Sequence, residues 1–187
     1  MNFNDHSNLK DCHAFLSASK HSWINYDVNK LETSFLNHLA KQKGTILHEL
    51  AADLISMRIK LADENKTFNM YVNDAIGYNM VPEQTLYYSD NCFGTADTIA
   101  FYERKSLLRI HDLKTGVTPA SMDQLKIYAA LFCLEYDVHP NDIDMELRLY
   151  QFDKIIYDDP QREDIMFIER QIIEFDKVIN QMKEEEL

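Results

Sequence analysis

The chain has 187 residues, of which 45% are hydrophobic, enough for one compact domain with a substantial core. Its net charge of −12 at pH 7 has the wrong sign for a protein that approaches phosphates, although nearly all the surplus acid follows residue 134. Three widely spaced cysteines exclude a disulfide framework and a C-x-x-C metal site, and they favour a reducing cytoplasm. The polar N-terminus lacks a signal-peptide pattern, and the longest apolar run, 127–134, is too short to cross a bilayer, so no membrane association is expected.

The predicted elements begin with helices. Helical periodicity covers 8–24 and 29–61, with a break predicted near 42–44, so the N-terminal helices together span 8–61. A polar linker at 62–69 and an ambiguous stretch that reaches Pro82 follow.

Strands dominate the middle of the chain. Three strand-like runs in meander spacing cover 83–89, 92–103 and 107–114. A helix at 121–136 follows, with Ser121 or Asp123 as its expected N-cap. One more strand, 145–152, and a last helix, 161–185, complete the chain. We therefore predict one α/β (α+β) domain over 1–187. Its core at 83–152 holds a mostly mixed four-stranded sheet in α-β-β-β-α-β order, flanked by helices.

The last helix, 161–185, carries an apolar stripe in alternating steps of three and four residues. The stripe is shorter than three heptads, so packing against the sheet or the first helices is the main expectation. The alternative is a dimer seam, which would make the protein an oligomer through this helix.

The most informative motif follows the apolar run 107–110, where Asp112, Leu113 and Lys114 end a predicted strand. Residues two apart in a strand share a face, so the carboxylate and the amine lie together with the Leu113 carbonyl between them. Asp97 lies upstream in another strand-like run. Hard divalent cations take carboxylate oxygens, and a nearby lysine can stabilise phosphate charge, so the set predicts metal-assisted phosphodiester hydrolysis. The plain alternative is a surface ion pair, because D-x-K occurs by chance in many proteins.

Further patterns surround this triplet. In chain order they are G-x-x-x-H at 44–48, G-x-x-D at 94–97, D-x-K-T-G at 112–116 and Q-x-x-x-Y at 124–128. Together they resemble the RecB-like branch of the PD-(D/E)XK nuclease superfamily, which includes small phage-encoded exonucleases. The resemblance covers roughly residues 13–150 and implies a restriction-endonuclease-like core.

The resemblance also implies roles for the residues of the predicted metal site. His48, Asp97 and Asp112 would bind Mg²⁺ or Mn²⁺ together with the backbone carbonyl of Leu113, and Lys114 would be the catalytic lysine beside the catalytic carboxylates Asp97 and Asp112. A histidine on an amphipathic helix is otherwise more often a hydrogen-bonded boundary residue than a ligand.

Substrate contacts are implied on the helix that follows. Gln124 and Tyr128, which share one helix face, would line the site and hold the nucleic acid, and Lys126 is a further candidate phosphate contact. Tyr128 could instead be a core residue. Iron–sulfur members of the family need four cysteines around the core, and the three here are wrongly placed, so no iron–sulfur cluster is expected.

The implied function is an Mg²⁺- or Mn²⁺-dependent deoxyribonuclease. The simplest version is an exonuclease of DNA replication, recombination or repair, acting in the cytoplasm, or in the host cytoplasm if it is phage-encoded. Its partner would be DNA, single- or double-stranded. The main alternative is a catalytically silent nuclease-fold protein, an accessory factor or inhibitor that binds a protein through its acidic final third. The dipeptide at 111–112 also suggests a helical H-D phosphohydrolase, but it ends a strand. Nucleoside-triphosphate hydrolysis is not expected, because no G-x-x-x-x-G-K-[ST] loop occurs.

Overall fold

The computed structural model describes residues 4–10 and 12–185. The chain divides into two compact units, Met1–Thr45 and Ile46–Leu187. The first unit holds two 3₁₀ segments, Ser7–Leu9 and Ala18–Asn25, and the beginning of a long helix, α1, whose bounds are Val28–Ser56. The second unit holds the rest of α1 and all the strands.

The helix predicted at 8–24 is wrong, because only short 3₁₀ segments form there. The Ser17 hydroxyl accepts a hydrogen bond from the Ser19 amide at 3.3 Å, and the Trp23 indole donates to the Ser17 carbonyl at 2.9 Å. Side chains thus satisfy backbone groups that an α-helix would pair internally, which explains why serine-rich segments favour turns.

Helix α1 runs without the break predicted near 42–44, and it ends five residues before the predicted residue 61. Gly44 lowers the stability of the helix by only about 1 kcal/mol, which the helical turns on both sides of it can offset. The end is set by Arg58, which adopts a left-handed φ of 56°. The Ile59 amide then donates to the Leu54 carbonyl at 2.9 Å, a helix-terminating bond of the Schellman type.

The second unit is an α/β structure built on a mixed, open sheet of five strands in the order β1-β2-β3-β4-β5. The strands are β1 Val81–Ser89, β2 Cys92–Tyr102, β3 Leu107–Leu113, β4 Asp144–Gln151 and β5 Lys154–Asp158. Strands β3 and β4 are parallel and all other neighbours are antiparallel. The predicted meander and mixed sheet are confirmed, but the sheet has five strands rather than the predicted four, because the sequence pattern did not indicate β5.

Three further helices cover the sheet: α2 Thr67–Gly77, α3 Asp123–Tyr136 and α4 Arg162–Glu185. Helix α2 occupies part of the stretch predicted as a linker. Helix α3 starts as predicted, but its N-cap is Met122, and no side chain caps it there. None of the helices among residues 4–10 and 12–185 is both long and apolar enough to span a bilayer.

Each face of the sheet has its own hydrophobic core. The α3 core combines that helix with Leu108 and Ile110 of β3 and with Ile165 of α4. The α2 core combines Leu113 and Tyr150 with residues of α1 and α2. Successive strand residues point to opposite faces, so β3 contributes to both cores. The alternation predicted for β4 is confirmed in the same way.

Helix α4 packs through the first half of its apolar stripe. Ile165 is fully buried, and Ile168 and Ile172 lie against the α3 core. Further along the helix, Phe175 and Val178 are exposed. The predicted packing of this helix is thus realised chiefly against α3.

Candidate functional site

Asp112 and Lys114 form an ion pair at the end of β3. Asp112 continues the face of Leu108 and Ile110, and its side chain is 1% exposed, because α3 covers that face of the strand. The Lys114 Nζ lies 3.0 Å from Asp112 Oδ1 and 2.9 Å from Oδ2. Only the contact with Oδ1 is aligned as a hydrogen bond, so Oδ2 lacks a hydrogen-bonding partner among the residues described. A buried carboxylate oxygen without a partner is uncommon and marks a place where a ligand could bind.

Asp97 of β2 connects the triplet to α1. Its Oδ2 accepts a hydrogen bond from the Leu113 amide at 2.8 Å and lies 3.3 Å from His48 Nδ1. The Lys114 amide donates to the Tyr150 carbonyl of β4 at 2.9 Å. The peptide before Lys114 is trans, so the Leu113 carbonyl points away from β4, toward the β2 side. This is the side on which Asp97 lies.

The charge of Asp97 affects the protonation of both Asp112 and His48. Burial, and then repulsion by Asp97, raises the pKa of Asp112 to about 6, against the opposing attraction of Lys114. The hydrogen bond to Asp97 raises the pKa of His48. A divalent cation would relieve the repulsion between the carboxylates of Asp97 and Asp112.

A hydrogen-bonded chain runs from Lys114 into α3. The Lys114 ammonium donates to Gln124 Oε1 at 2.8 Å, and Gln124 Nε2 donates to the Tyr128 hydroxyl at 2.9 Å. Gln124 is exposed, whereas Tyr128 is buried in the α3 core, and burial raises the pKa of its phenol. The two residues share a helix face, as expected from their spacing, and here they position the lysine.

Lys126 takes no part in this chain. It lies two residues from both Gln124 and Tyr128 and therefore on a different side of α3. Its Nζ is 3.0 Å from Asp164 Oδ2 and 3.6 Å from Asp158 Oδ2, so it joins α3 to α4 and β5. The structure does not bring this predicted substrate contact to the other candidate residues.

Glu83 of β1 is a member of the cluster that the sequence did not indicate. One ligand atom each from His48, Glu83 and Asp97 lies within 4.8 Å of the other two. Although the side chain of Glu83 is exposed overall, partial loss of solvent around its carboxylate, and then the charge of Asp97, raises its pKa. Local sequence gives no signal for this position, because a regular two-residue turn at 90–91 would pair Glu83 with Thr98 and leave it on the opposite face from Asp97. The register shift between Tyr87 and Ser89 places Glu83 opposite Asp97 instead.

His111 lies on the other face of β3 from Asp112. It is fully buried, its Nδ1 is 3.2 Å from the Tyr150 hydroxyl, and burial lowers its pKa well below the ordinary value. Adjacent strand residues point to opposite faces, so these two side chains cannot share one metal ion as in an H-D phosphohydrolase.

Comparison of the chain with protein-family models, with curated proteins and with solved structures finds no match. Its function must therefore be inferred from the geometry of this site.

Proposed function

We propose that the protein is a divalent-cation-dependent nuclease with a restriction-endonuclease-like core of the RecB-like type, and that it hydrolyses phosphodiester bonds of DNA as an exonuclease. One observation carries the proposal: Lys114 is held by Asp112 and Gln124, and the amide of the preceding residue, Leu113, donates to Asp97 of the Asp97–His48 pair. An ammonium and several metal-binding groups around one point suit the charge distribution of phosphodiester hydrolysis.

The residues fit Mg²⁺ or Mn²⁺. Mg²⁺–oxygen distances of about 2.1 Å place two ligand atoms at most about 4.2 Å apart, and the donor atoms of His48, Glu83 and Asp97 lie within 4.8 Å of one another. Small side-chain rotations would close that difference. Asp112 is a further candidate ligand, and so is the Leu113 carbonyl, which points toward the side on which Asp97 lies. When bound, the cation would supply positive charge for the phosphate and lower the pKa of an attacking water.

The chain's own groups divide the remaining tasks. The Lys114 ammonium would hydrogen-bond a phosphate oxygen or the attacking water and stabilise the negative charge that develops on phosphorus. Gln124 and Asp112 limit the positions open to that ammonium, since both accept hydrogen bonds from it. The Leu113 amide orients Asp97, and Asp97 in turn orients His48. This pre-positioning lowers the reorganisation needed when DNA arrives.

The test is a cleavage assay on two forms of DNA. End-labelled linear duplex and closed circular duplex are incubated with protein in Mg²⁺, Mn²⁺ or EDTA. We expect ordered loss of nucleotides from linear ends, no cutting of the circle, and no reaction in EDTA. A Lys114→Ala preparation purified in parallel controls for contaminating nuclease. Equal cleavage by that variant, or none by the wild type in either metal, would refute the proposal.

A further inference from the structure

We infer that Glu83 is a protein ligand of the divalent cation, together with His48 and Asp97. The inference rests on the proposed metal-dependent function, but it concerns binding of the cation and can be tested without DNA. The sequence indicated His48, Asp97 and Asp112 as side-chain ligands, and this inference adds Glu83 of the β1–β2 hairpin to the first two.

The donor atoms come from three different elements that meet at one point. His48 lies on α1, Glu83 on β1 and Asp97 on β2, and their ligand atoms are within 4.8 Å of one another. An imidazole nitrogen with two carboxylate oxygens is a donor set that Mn²⁺ and related first-row divalent ions accept. His48 and Asp97 are partly buried, and Glu83 is exposed, so the cluster remains open to solvent and to substrate.

The backbone of the hairpin is shaped around this point. Pro82 pairs with Thr98 and Gln84 with Ala96, and between them Glu83 adopts a left-handed φ of 51°. Ala96 and Ile99 both lie in the α3 core, although residues three apart in a regular strand face opposite sides. The pairing is therefore irregular where Glu83 and Asp97 lie opposite each other. Local irregularities of this kind re-aim side chains.

The charges favour a cation here rather than at Asp112 alone. Both oxygens of Asp112 already lie within 3.0 Å of the Lys114 ammonium. Glu83 makes no ion pair with any lysine or arginine among residues 4–10 and 12–185, and Asp97 pairs only with His48. A divalent ion bound by Glu83 and Asp97 would balance their charge.

The experiment is calorimetric titration of metal-free protein with Mn²⁺, in the absence of DNA. We expect Glu83→Gln to weaken Mn²⁺ binding by at least about tenfold, the scale seen when groups at metal sites are removed. Asp97→Asn serves as the positive control. Glu49→Gln is the matched control, since Glu49 is exposed and adjacent to His48 but outside the cluster. It removes the same charge near the site and should change affinity by less than about threefold, through long-range attraction alone.

Two further measurements keep the result unambiguous. Without metal, Glu83→Gln should unfold at a temperature no lower than wild type, because Glu83 is exposed and the substitution removes its repulsion with Asp97. Glu83→Asp, which keeps the charge but shortens the side chain, should bind Mn²⁺ more tightly than Glu83→Gln. Equal affinities for Glu83→Gln and Glu49→Gln would overturn the inference. If Glu83→Gln weakens Mn²⁺ binding but the wild-type protein cleaves no DNA, the nuclease proposal is refuted and the metal site is supported.

Discussion

The ring of Tyr128 packs against the backbone of Gly94, so closely that a Cβ on residue 94 would lie 3.0 Å from the ring carbon Cε1. Few real Cβ contacts are that short, so residue 94 must be glycine if the ring is to stay in place. The Tyr128 hydroxyl is hydrogen-bonded to Gln124, and Gln124 is hydrogen-bonded to Lys114. The lack of a side chain at Gly94 of β2 therefore helps to set the position of the proposed catalytic lysine.

Gly94→Ala should accordingly impair both catalysis and folding. The added methyl would push Tyr128 and its hydrogen-bonded partners, and overpacking of this kind costs about 1–3 kcal/mol. We expect the cleavage rate to fall by about tenfold, because small misplacements of catalytic groups reduce rates strongly. Single-turnover assays and urea unfolding measure the two effects. Gly77→Ala is the control, since a Cβ there meets nothing within 4 Å. If both variants cleave DNA alike, the series of contacts that links Gly94 through Tyr128 and Gln124 to Lys114 has no role in catalysis.

Lys114→Ala and Asp112→Asn should each slow DNA cleavage by at least about 100-fold, the scale lost with one general acid–base or charge-stabilising group. Both should fold, because Lys114 is partly exposed and the side-chain amide introduced by Asp112→Asn can still accept a hydrogen bond from the lysine. Rates at saturating DNA and saturating Mn²⁺ separate loss of chemistry from loss of binding. Lys177→Ala, which alters an exposed lysine of α4, is the matched control. Full activity of Lys114→Ala would remove the lysine from the mechanism.

Tyr128→Phe separates the two interpretations of this tyrosine. Loss of its hydroxyl breaks the bond with Gln124 and should cost about 1 kcal/mol of stability, the usual net value of one hydrogen bond. Turnover should decline several-fold, in parallel with Gln124→Ala, while Mn²⁺ affinity stays unchanged. Tyr128→Ala should instead destabilise by about 3–5 kcal/mol, because it empties part of the α3 core. An unaffected turnover for Tyr128→Phe, with Tyr128→Ala unfolded, would show that the residue serves packing alone.

The strands of the meander could be predicted because their residues alternate and turn residues separate them. Strand β1 begins two residues earlier than expected, at Val81. Pro82 normally argues against a strand, but β1 lies at the sheet edge, where a missing amide is tolerated. Edge position follows from the complete topology, which no local pattern contains.

Strand β5 escaped prediction for a related reason. Phe152 and Asp153 form the two-residue turn before it, with φ of 56° and 55°, as in a type I′ hairpin. Asn-Gly is the usual signal for such a turn, and Phe-Asp is not. Asp153 is held there from α2, since its carboxylate accepts from the Thr67 amide at 2.9 Å and its own amide donates to the Thr67 hydroxyl at 2.7 Å. A tertiary contact thus replaces the local turn preference.

In the candidate site, too, some residues could be paired from local sequence and others only from the tertiary structure. Asp112 and Lys114 are two residues apart in one strand, and Gln124 and Tyr128 are one turn apart in one helix, so local geometry suffices to pair them. Glu83 joins His48 and Asp97 through the register of β1 and β2, which depends on the register shift between Tyr87 and Ser89. Lys126 has a sequence position suited to substrate binding, and only the packing of α4 and β5 showed its ion pairs.

His111 should make the stability of the protein depend on pH. It is fully buried between Arg109 and Arg148, and burial lowers its pKa well below 6.5. The Tyr150 hydroxyl donates to Asp74 at 2.6 Å, so it accepts from His111 Nδ1–H, and the lowered pKa keeps the ring neutral.

The sign of the effect follows from which state binds the proton. Below a pH of about 6.5 the unfolded chain protonates His111 and the folded chain does not. The contribution of His111 to the free energy of unfolding is therefore fully present above that pH, and it decreases by up to about 1.4 kcal/mol per pH unit as the pH falls toward the folded-state pKa.

His111→Asn keeps a donor for Tyr150 and removes the titration. Urea unfolding from about pH 7.5 to 5 should show the variant less stable than wild type at the upper end, with the gap narrowing as the pH falls. The other histidines, including His48 with its opposite shift, are common to both proteins and cancel in the difference. Curves that stay parallel over this range would mean that His111 is protonated equally in both states, contrary to its burial.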